Sequence, residues 1–212
     1  KFGFDQMTDA AGIDVLLHSR VTGVATGSDG LTAITVTDHA GCYEITAAAF
    51  VDASGEAALA SLAGFEMTVN SMAGDKVQPA SLPVRIGGVA PGVSFDRARM
   101  ADLIARHNES GDTQIHRADG GVMLRLSTSN DYWWMTIDLD TDGLSGASLG
   151  SAERQARREA WRNLQLLRQL PGFETAFIAA TGPQIGIRET RRPRSRNDLT
   201  GAALAKGERR ED

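Results

Sequence analysis

Residues 13–54, IDVLLHSRVTGVATGSDGLTAITVTDHAGCYEITAAAFVDAS, decide the fold class. Three β-branched, apolar runs are separated by SDG at 28–30 and HAG at 39–41. Short glycine-bearing breaks between such runs mark tight antiparallel turns. The pattern predicts an antiparallel meander that starts just after Gly12 and returns through a run ending at Asp52. Ala53, Ser54 and Gly55 then turn, and Glu56 to Ala63 read as a short helix closed by Gly64. Strand, small-residue turn and helix in that order is a place where backbone N–H groups can meet a ligand. Upstream, Phe4, Met7 and Ala11 at helical spacing before Gly12 read as the last turns of a helix.

Beyond Phe65 the texture shifts. SLPVRIGGV at 81–89 is expected to contain a strand, and Ser94 to cap the helix FDRARMADLIARHNE at 95–109. VMLRLS (122–127) and YWWMTIDL (132–139) follow as strands, with Trp133 and Trp134 pointing to opposite faces. A long helix is expected after Ser151, because Ala152, Ala156, Ala160, Leu164, Leu167 and Leu170 recur every three or four residues before Pro171 and Gly172 stop it. Its Arg154, Arg157, Arg158 and Arg162 read as a solvated face. TAFIAAT (175–181) and QIGIRETRR (184–192) read as strands, and the tail from Pro193 as polar and weakly structured. The fold class is therefore α+β: an antiparallel meander followed by a mixed sheet-and-helix region.

Composition narrows the function. The chain has 212 residues, 42% of them hydrophobic, enough for a buried core, and a formal net charge of −5. A phosphate-tracking surface needs a basic excess, so nucleic acid is not the expected partner. No apolar run approaches the roughly 20 residues that span a bilayer, and KFGFDQMTDAAG lacks the basic-then-apolar pattern of a signal peptide. The chain reads as soluble and cytoplasmic, with no membrane partner, and its single Cys42 excludes an intrachain disulfide. The opening without Met and the end in a charged stretch read as a piece of something longer.

No metal site is expected. DLDTDG at 138–143 copies half of a calcium loop, but Leu149 stands at the twelfth position where a glutamate is required, so it reads as an acidic turn. His18, His39, His107 and His116 show no metal-ligand spacing; His107 and His116 read mainly as surface histidines, with a proton-carrying role open. GGVAPG at 87–92 is neither a dinucleotide loop nor a P-loop.

One stretch is unusual for an acidic protein: IRETRR, 187–192. Read as a strand, it puts Arg188, Thr190 and Arg192 on one face and Glu189 with Arg191 on the other. Stacked guanidinium groups repel, so the row needs carboxylates or a bound anion. An ion-pair network and an anion site are both open on pattern alone.

Two segments together resemble the FAD-dependent oxidoreductases with a glutathione-reductase-like flavin fold, related to fumarate reductase flavoproteins. FVDASGEAALASLAG (50–64) is similar to their vvDATGdaDlaalaG segment, and PGFETAF with GPQIGIRETRRPRSRNDLT (171–177 and 182–200) to their G-I-R-E-T-R-R segment. The likeness covers most of the chain and is weakest over 65–150. It implies a remnant of an FAD-binding domain at 1–64, a substrate or cap domain at 65–181, and the start of a return segment at 182–212. The family's G-x-G-x-x-G unit and its last flavin-site segment are not in this sequence.

The resemblance implies that Val21 lies beside the adenine, that Ser54 and Gly55 form the turn over the adenosine side of FAD, and that Glu56 is an acidic residue of that turn. Ala58 stands where the family has Asp. Arg188, Glu189, Arg191 and Arg192 match the motif that approaches flavin and substrate, while PRSRNDLT departs from the family pattern. The expected function is hydride transfer between a small, anionic substrate and FAD in the full-length protein, with this chain alone binding FAD weakly or not at all and having no turnover. The alternative is a non-catalytic interaction or oligomerisation domain; a homo-oligomer is open in either case.

Overall fold

The computed structural model describes residues 1–69, 77–111, 113–195 and 199–209. The chain forms two compact units, Lys1–Thr68 with Arg191–Asp212, and Val69–Thr190. The sequence reading drew its crossings after 64 and after 181; by compactness they fall after Thr68 and after Thr190. Both units combine helices with antiparallel sheets, the α+β class expected. Among the described residues no helix is long and apolar enough to cross a membrane.

The first unit opens with α1 (Phe2–Ala10), none of whose residues is buried. Then come β1 (Arg20–Gly27), β2 (Gly30–Asp38) and β3 (Gly41–Thr46), an antiparallel meander in that order. The first turn leaves only Ser28 and Asp29 between paired Gly27 and Gly30. In the second, Asp38 Oδ1 accepts the N–H groups of Ala40 and Gly41, and Gly41 takes a φ of +133° that a side chain would resist. Ala33 and Val36 of β2, on opposite faces of the strand, are buried.

Two strand ends differ from expectation. The first strand starts at Arg20, not after Gly12, because His18 at φ +56° sits in the left-handed region, where a ladder cannot continue. The third ends at Thr46, not Asp52. A strand exists only where a neighbour takes its hydrogen bonds, and among the described residues no strand pairs with 47–52. The helix after the turn is α2 (Ala58–Leu62), closed by Gly64 at φ +78°, and β4 (Met67–Val69) follows.

The second unit contains β5 (Ala80–Ser81), β6 (Val84–Gly87), α3 (Arg97–Glu109), β7 (Val122–Arg125), β8 (Tyr132–Met135), β9 (Asp138–Leu139), α4 (Gly146–Leu167) and β10 (Phe177–Thr181). Its sheet has the order β10-β6-β8-β7, antiparallel throughout, and β5 pairs with β9 separately. Trp134 on β8 is buried and Trp133 half-buried, the alternation that strand period requires. The cap of α3 is Asp96, which accepts the Arg99 N–H at 3.0 Å, instead of Ser94. Both residue types cap well; the chain enters the helix two residues later than the pattern suggested.

Helix α4 begins at Gly146, nearly two turns earlier than expected, capped by Ser145. Its buried face is the predicted stripe of Ala152, Ala156, Ala160, Leu164 and Leu167, with Glu159 and Asn163 added. Leu170 and Phe173 continue the core beyond its end. Arg154, Arg157 and Arg158 are exposed and Arg162 half-exposed. The acidic stretch before α4 acts as the turn expected: Asp142 Oδ1 accepts from Leu144 N and Ser145 N. The Leu144 N–H, first of several donors, holds the Asp142 carboxyl below its ordinary range.

The segment after β10 stays with this unit. Gly182 N donates to Pro83 O, Gly186 and Ser81 exchange both backbone hydrogen bonds, and Ile185 is buried. From Arg191 the chain belongs to the first unit, where β11 (Arg191–Pro193) pairs with β4. The tail is more ordered than expected. It forms α5 (Gly201–Lys206), capped by Thr200 Oγ1 accepting from Ala203 N and ended by Gly207 at φ +63°. Cap and glycine were both visible in the sequence, but the helix is too short for its period to show.

Candidate functional site

Each unit carries a hollow lined by candidate site residues expected from the sequence. In the first unit the hollow, about 360 Å³, is walled by Val21, Ile34, Phe50 and Leu59, with Ser54 and Glu56 at its polar side. Gly55 is not among the lining residues; at φ +79° it lets the turn reverse.

The turn is braced from within. Asp52 Oδ1 accepts Ser54 N at 3.0 Å, Oδ2 accepts Ala60 N at 2.9 Å, and Ser54 Oγ accepts Ala58 N at 2.8 Å. The N-terminal N–H groups of α2 are thus satisfied by the residues before it. Partial burial raises the Asp52 pKa, but hydrogen bonds from the Ser54 side chain and from the Ala60, Ser54 and Leu59 backbones outweigh it, leaving the carboxyl below its ordinary 3.8. A depressed carboxylate stabilises the fold above its unfolded pKa, and that contribution is lost as pH falls through the folded value. Acidification from about pH 5 to pH 2 is therefore expected to release the turn, seen as movement of the Ser54 and Ala60 amide resonances; unchanged amides would remove Asp52 as the brace.

In the second unit the hollow, about 500 Å³, is lined by Gln78, Ser81, His116, Arg117, Asp138 and Arg188 among others. Arg188 is placed by the Ser81–Gly186 bridge two residues before it and donates through Nη2 to Ser81 Oγ at 3.1 Å. Glu189 Oε1 accepts the Gln78 N–H at 3.1 Å. Arg117 donates through Nε to Asp119 Oδ1 at 3.0 Å, its Nη1 lies 3.5 Å from Asp138 Oδ1, and Arg97 also pairs with Asp119. Burial raises the Asp119 pKa, but the Gly121 N–H and the guanidinium groups of Arg117 and Arg97 overcome it and hold the carboxyl low.

The IRETRR residues are not one strand. Only Arg191–Pro193 is a strand, so the two-faced arrangement over 188–192 is replaced by a division. Arg188 and Glu189 belong to the second unit, anchored on either side by half-buried Ile187 and buried Thr190, which close over Gly143. Arg191 and Arg192 belong to the first, where Arg191 Nη1 donates to Ser61 Oγ at 2.6 Å. The ladder stops because the backbone of 187–190 has no strand beside it among the described residues.

One residue beside the second hollow, Glu159, escaped the sequence reading, whereas His116 was expected at the surface with a proton-carrying role open. His116 places Nδ1 2.8 Å from Glu159 Oε1, and Glu159 is 1% exposed. A signal existed: Glu159 falls on the apolar stripe of α4, where a carboxylate demands a partner.

A protein-family model described as FAD dependent oxidoreductase matches residues 1–212. No curated protein and no solved structure matches the chain.

Proposed function

The chain belongs to the FAD dependent oxidoreductase family, and from that premise we propose that its first unit holds the adenosine side of the flavin while its second holds a small anionic substrate. The first-unit hollow carries this reading: Val21 and the turn around Ser54, far apart in sequence, wall one space. The donor set fits the group. Apolar side chains suit the faces of an adenine, and the Glu56 carboxylate suits the hydroxyls of a ribose, which need an acceptor. The Ser54 hydroxyl is committed to Asp52 and Ala58, so its part is to shape the turn rather than to grip the ligand.

The flavin supplies two-electron chemistry, and the protein supplies binding, orientation and electrostatics. In the second unit Arg188 is the group suited to an anion, since a planar guanidinium meets a carboxylate through two parallel hydrogen bonds. Glu189, bonded to the Gln78 backbone, holds the neighbouring segment. Arg191 and Arg192 serve the first unit in this reading.

Titration of AMP into the 212-residue protein tests the cofactor placement. Saturable shifts are expected at the amides of Val21, Ser54, Gly55 and Glu56, with Trp133 and Asp131 silent. Shifts spread evenly over both units, or none, would remove adenosine from this hollow.

A further inference from the structure

We propose that the second-unit hollow is a monocarboxylate site with its own proton acceptor. The guanidinium of Arg188 grips the carboxylate, and Nε2 of His116, oriented by Glu159, takes a proton from an O–H or N–H group of the same ligand. The proposal rests on the oxidoreductase reading, which supplies the reason for a ligand to give up a proton here.

Charge selects the ligand. Arg97 and Arg117 share Asp119, and Arg117 also reaches Asp138, so two cations and two carboxylates offset one another. Arg188 adds one more positive charge. Its hydrogen bond goes to the neutral Ser81 hydroxyl, and among the described residues no carboxylate stands within ion-pair distance of it. A guanidinium whose own partner is a neutral hydroxyl matches a carboxylate in planar geometry and through two parallel hydrogen bonds.

Glu159 identifies the proton acceptor. Its Oε1 takes a hydrogen bond from Gln155 Nε2 at 3.0 Å and lies 2.8 Å from His116 Nδ1, while its Oε2 is buried with no partner among the described residues. A carboxylate buried and half satisfied costs stability. The rest of this buried face is Ala152, Ala156, Ala160, Leu164 and Leu167, with one other polar residue, Asn163, which carries no charge. An ionised carboxylate only accepts, so the hydrogen of a neutral His116 sits on Nδ1 and Nε2 keeps its lone pair. This is the general logic of a base held by a carboxylate behind it. The ring is 48% exposed and lines the same hollow as Arg188.

The step balances by itself. The ligand's O–H or N–H bond breaks, an Nε2–H bond forms, and the bonding pair stays on the ligand. The imidazolium that results lies against the Glu159 carboxylate, which then has a charged partner. The other groups around the ring are Gln155 on α4, Arg117 and Asp119 on its own segment, Asp138 on β9, and Arg188.

The test titrates glycolate, which has a hydroxyl beside its carboxylate, and acetate, which has none, into the 212-residue protein while arginine Nε–H and imidazole nitrogen resonances are followed. Both are expected to shift Arg188 saturably, and only glycolate to shift His116 Nε2. Arg188→Ala should weaken both by at least about tenfold. Glu159→Gln should leave the Arg188 response intact but release the fixed Nδ1–H tautomer of His116. If that variant does not fold, the tautomer in the unmodified protein decides, and a mixture overturns the positioning role. Unchanged affinity in Arg188→Ala overturns the site, and equal His116 shifts with acetate and glycolate overturn the proton acceptor. An AMP response without a glycolate response removes this site and leaves the flavin reading standing; the reverse result does the opposite.

Discussion

Replacing Trp134 with alanine is expected to destabilise the second unit by about 3–5 kcal/mol, the range for emptying a large aromatic from a packed core. Trp134 is 1% exposed in the middle of a four-stranded sheet, paired with Val84 on β6 and Met123 on β7. Its ring meets Phe95 edge to face at 5.9 Å between centroids, and its Nε1–H donates to Gly120 O at 3.0 Å. Truncation removes the apolar area, the ring pair and the partner of a buried carbonyl together. Gly121 packs its backbone directly against the Met135 carbonyl beside this ring, where a side chain would have no room. Trp161, 59% exposed on α4, is the control, and its alanine variant should change stability by no more than about 0.5 kcal/mol. Urea unfolding followed by circular dichroism measures both, and equal losses would mean that β8 is not the centre of this core.

Replacing Arg188 with alanine is expected to lower kcat/KM of the intact enzyme for an anionic substrate by about 2–4 kcal/mol of transition-state stabilisation, the scale for one preorganised electrostatic group. That is roughly 30- to 900-fold. The expectation follows from the proposed function and from the guanidinium's neutral contact, Ser81 Oγ, which leaves its charge for a ligand. Arg188→Lys keeps the charge but loses the planar fork and should fall between wild type and alanine. Arg158 on the solvated face of α4 provides the comparison, with an expected change below about 0.5 kcal/mol. Steady-state kinetics on the three variants checks this; equal effects at 158 and 188 would make the Arg188 cluster structural.

The local signals in the chain were enough for much of the architecture. Gly30 and Gly41 mark the hairpin turns, and the alanine–leucine stripe from Ala152 to Leu167 specifies the helix and its buried face, because turn geometry and helical period depend on residues only a few positions apart. The DASG turn was legible for the same reason: Asp52 reaches its partners within eight residues.

Tertiary structure decided what depends on distant partners. The runs at 13–19 and 47–52 have strand composition but no neighbour to take their hydrogen bonds, so they are not strands. IRETRR has strand period, yet it is divided between two units because Ile187 and Thr190 pack in one while Arg191 pairs in the other. The meeting of His116 with Glu159 spans 43 residues and joins a loop to a helix face. No periodicity encodes such a contact. A sequence shows that a buried carboxylate needs a partner, and only the packing of the whole unit selects which side chain arrives.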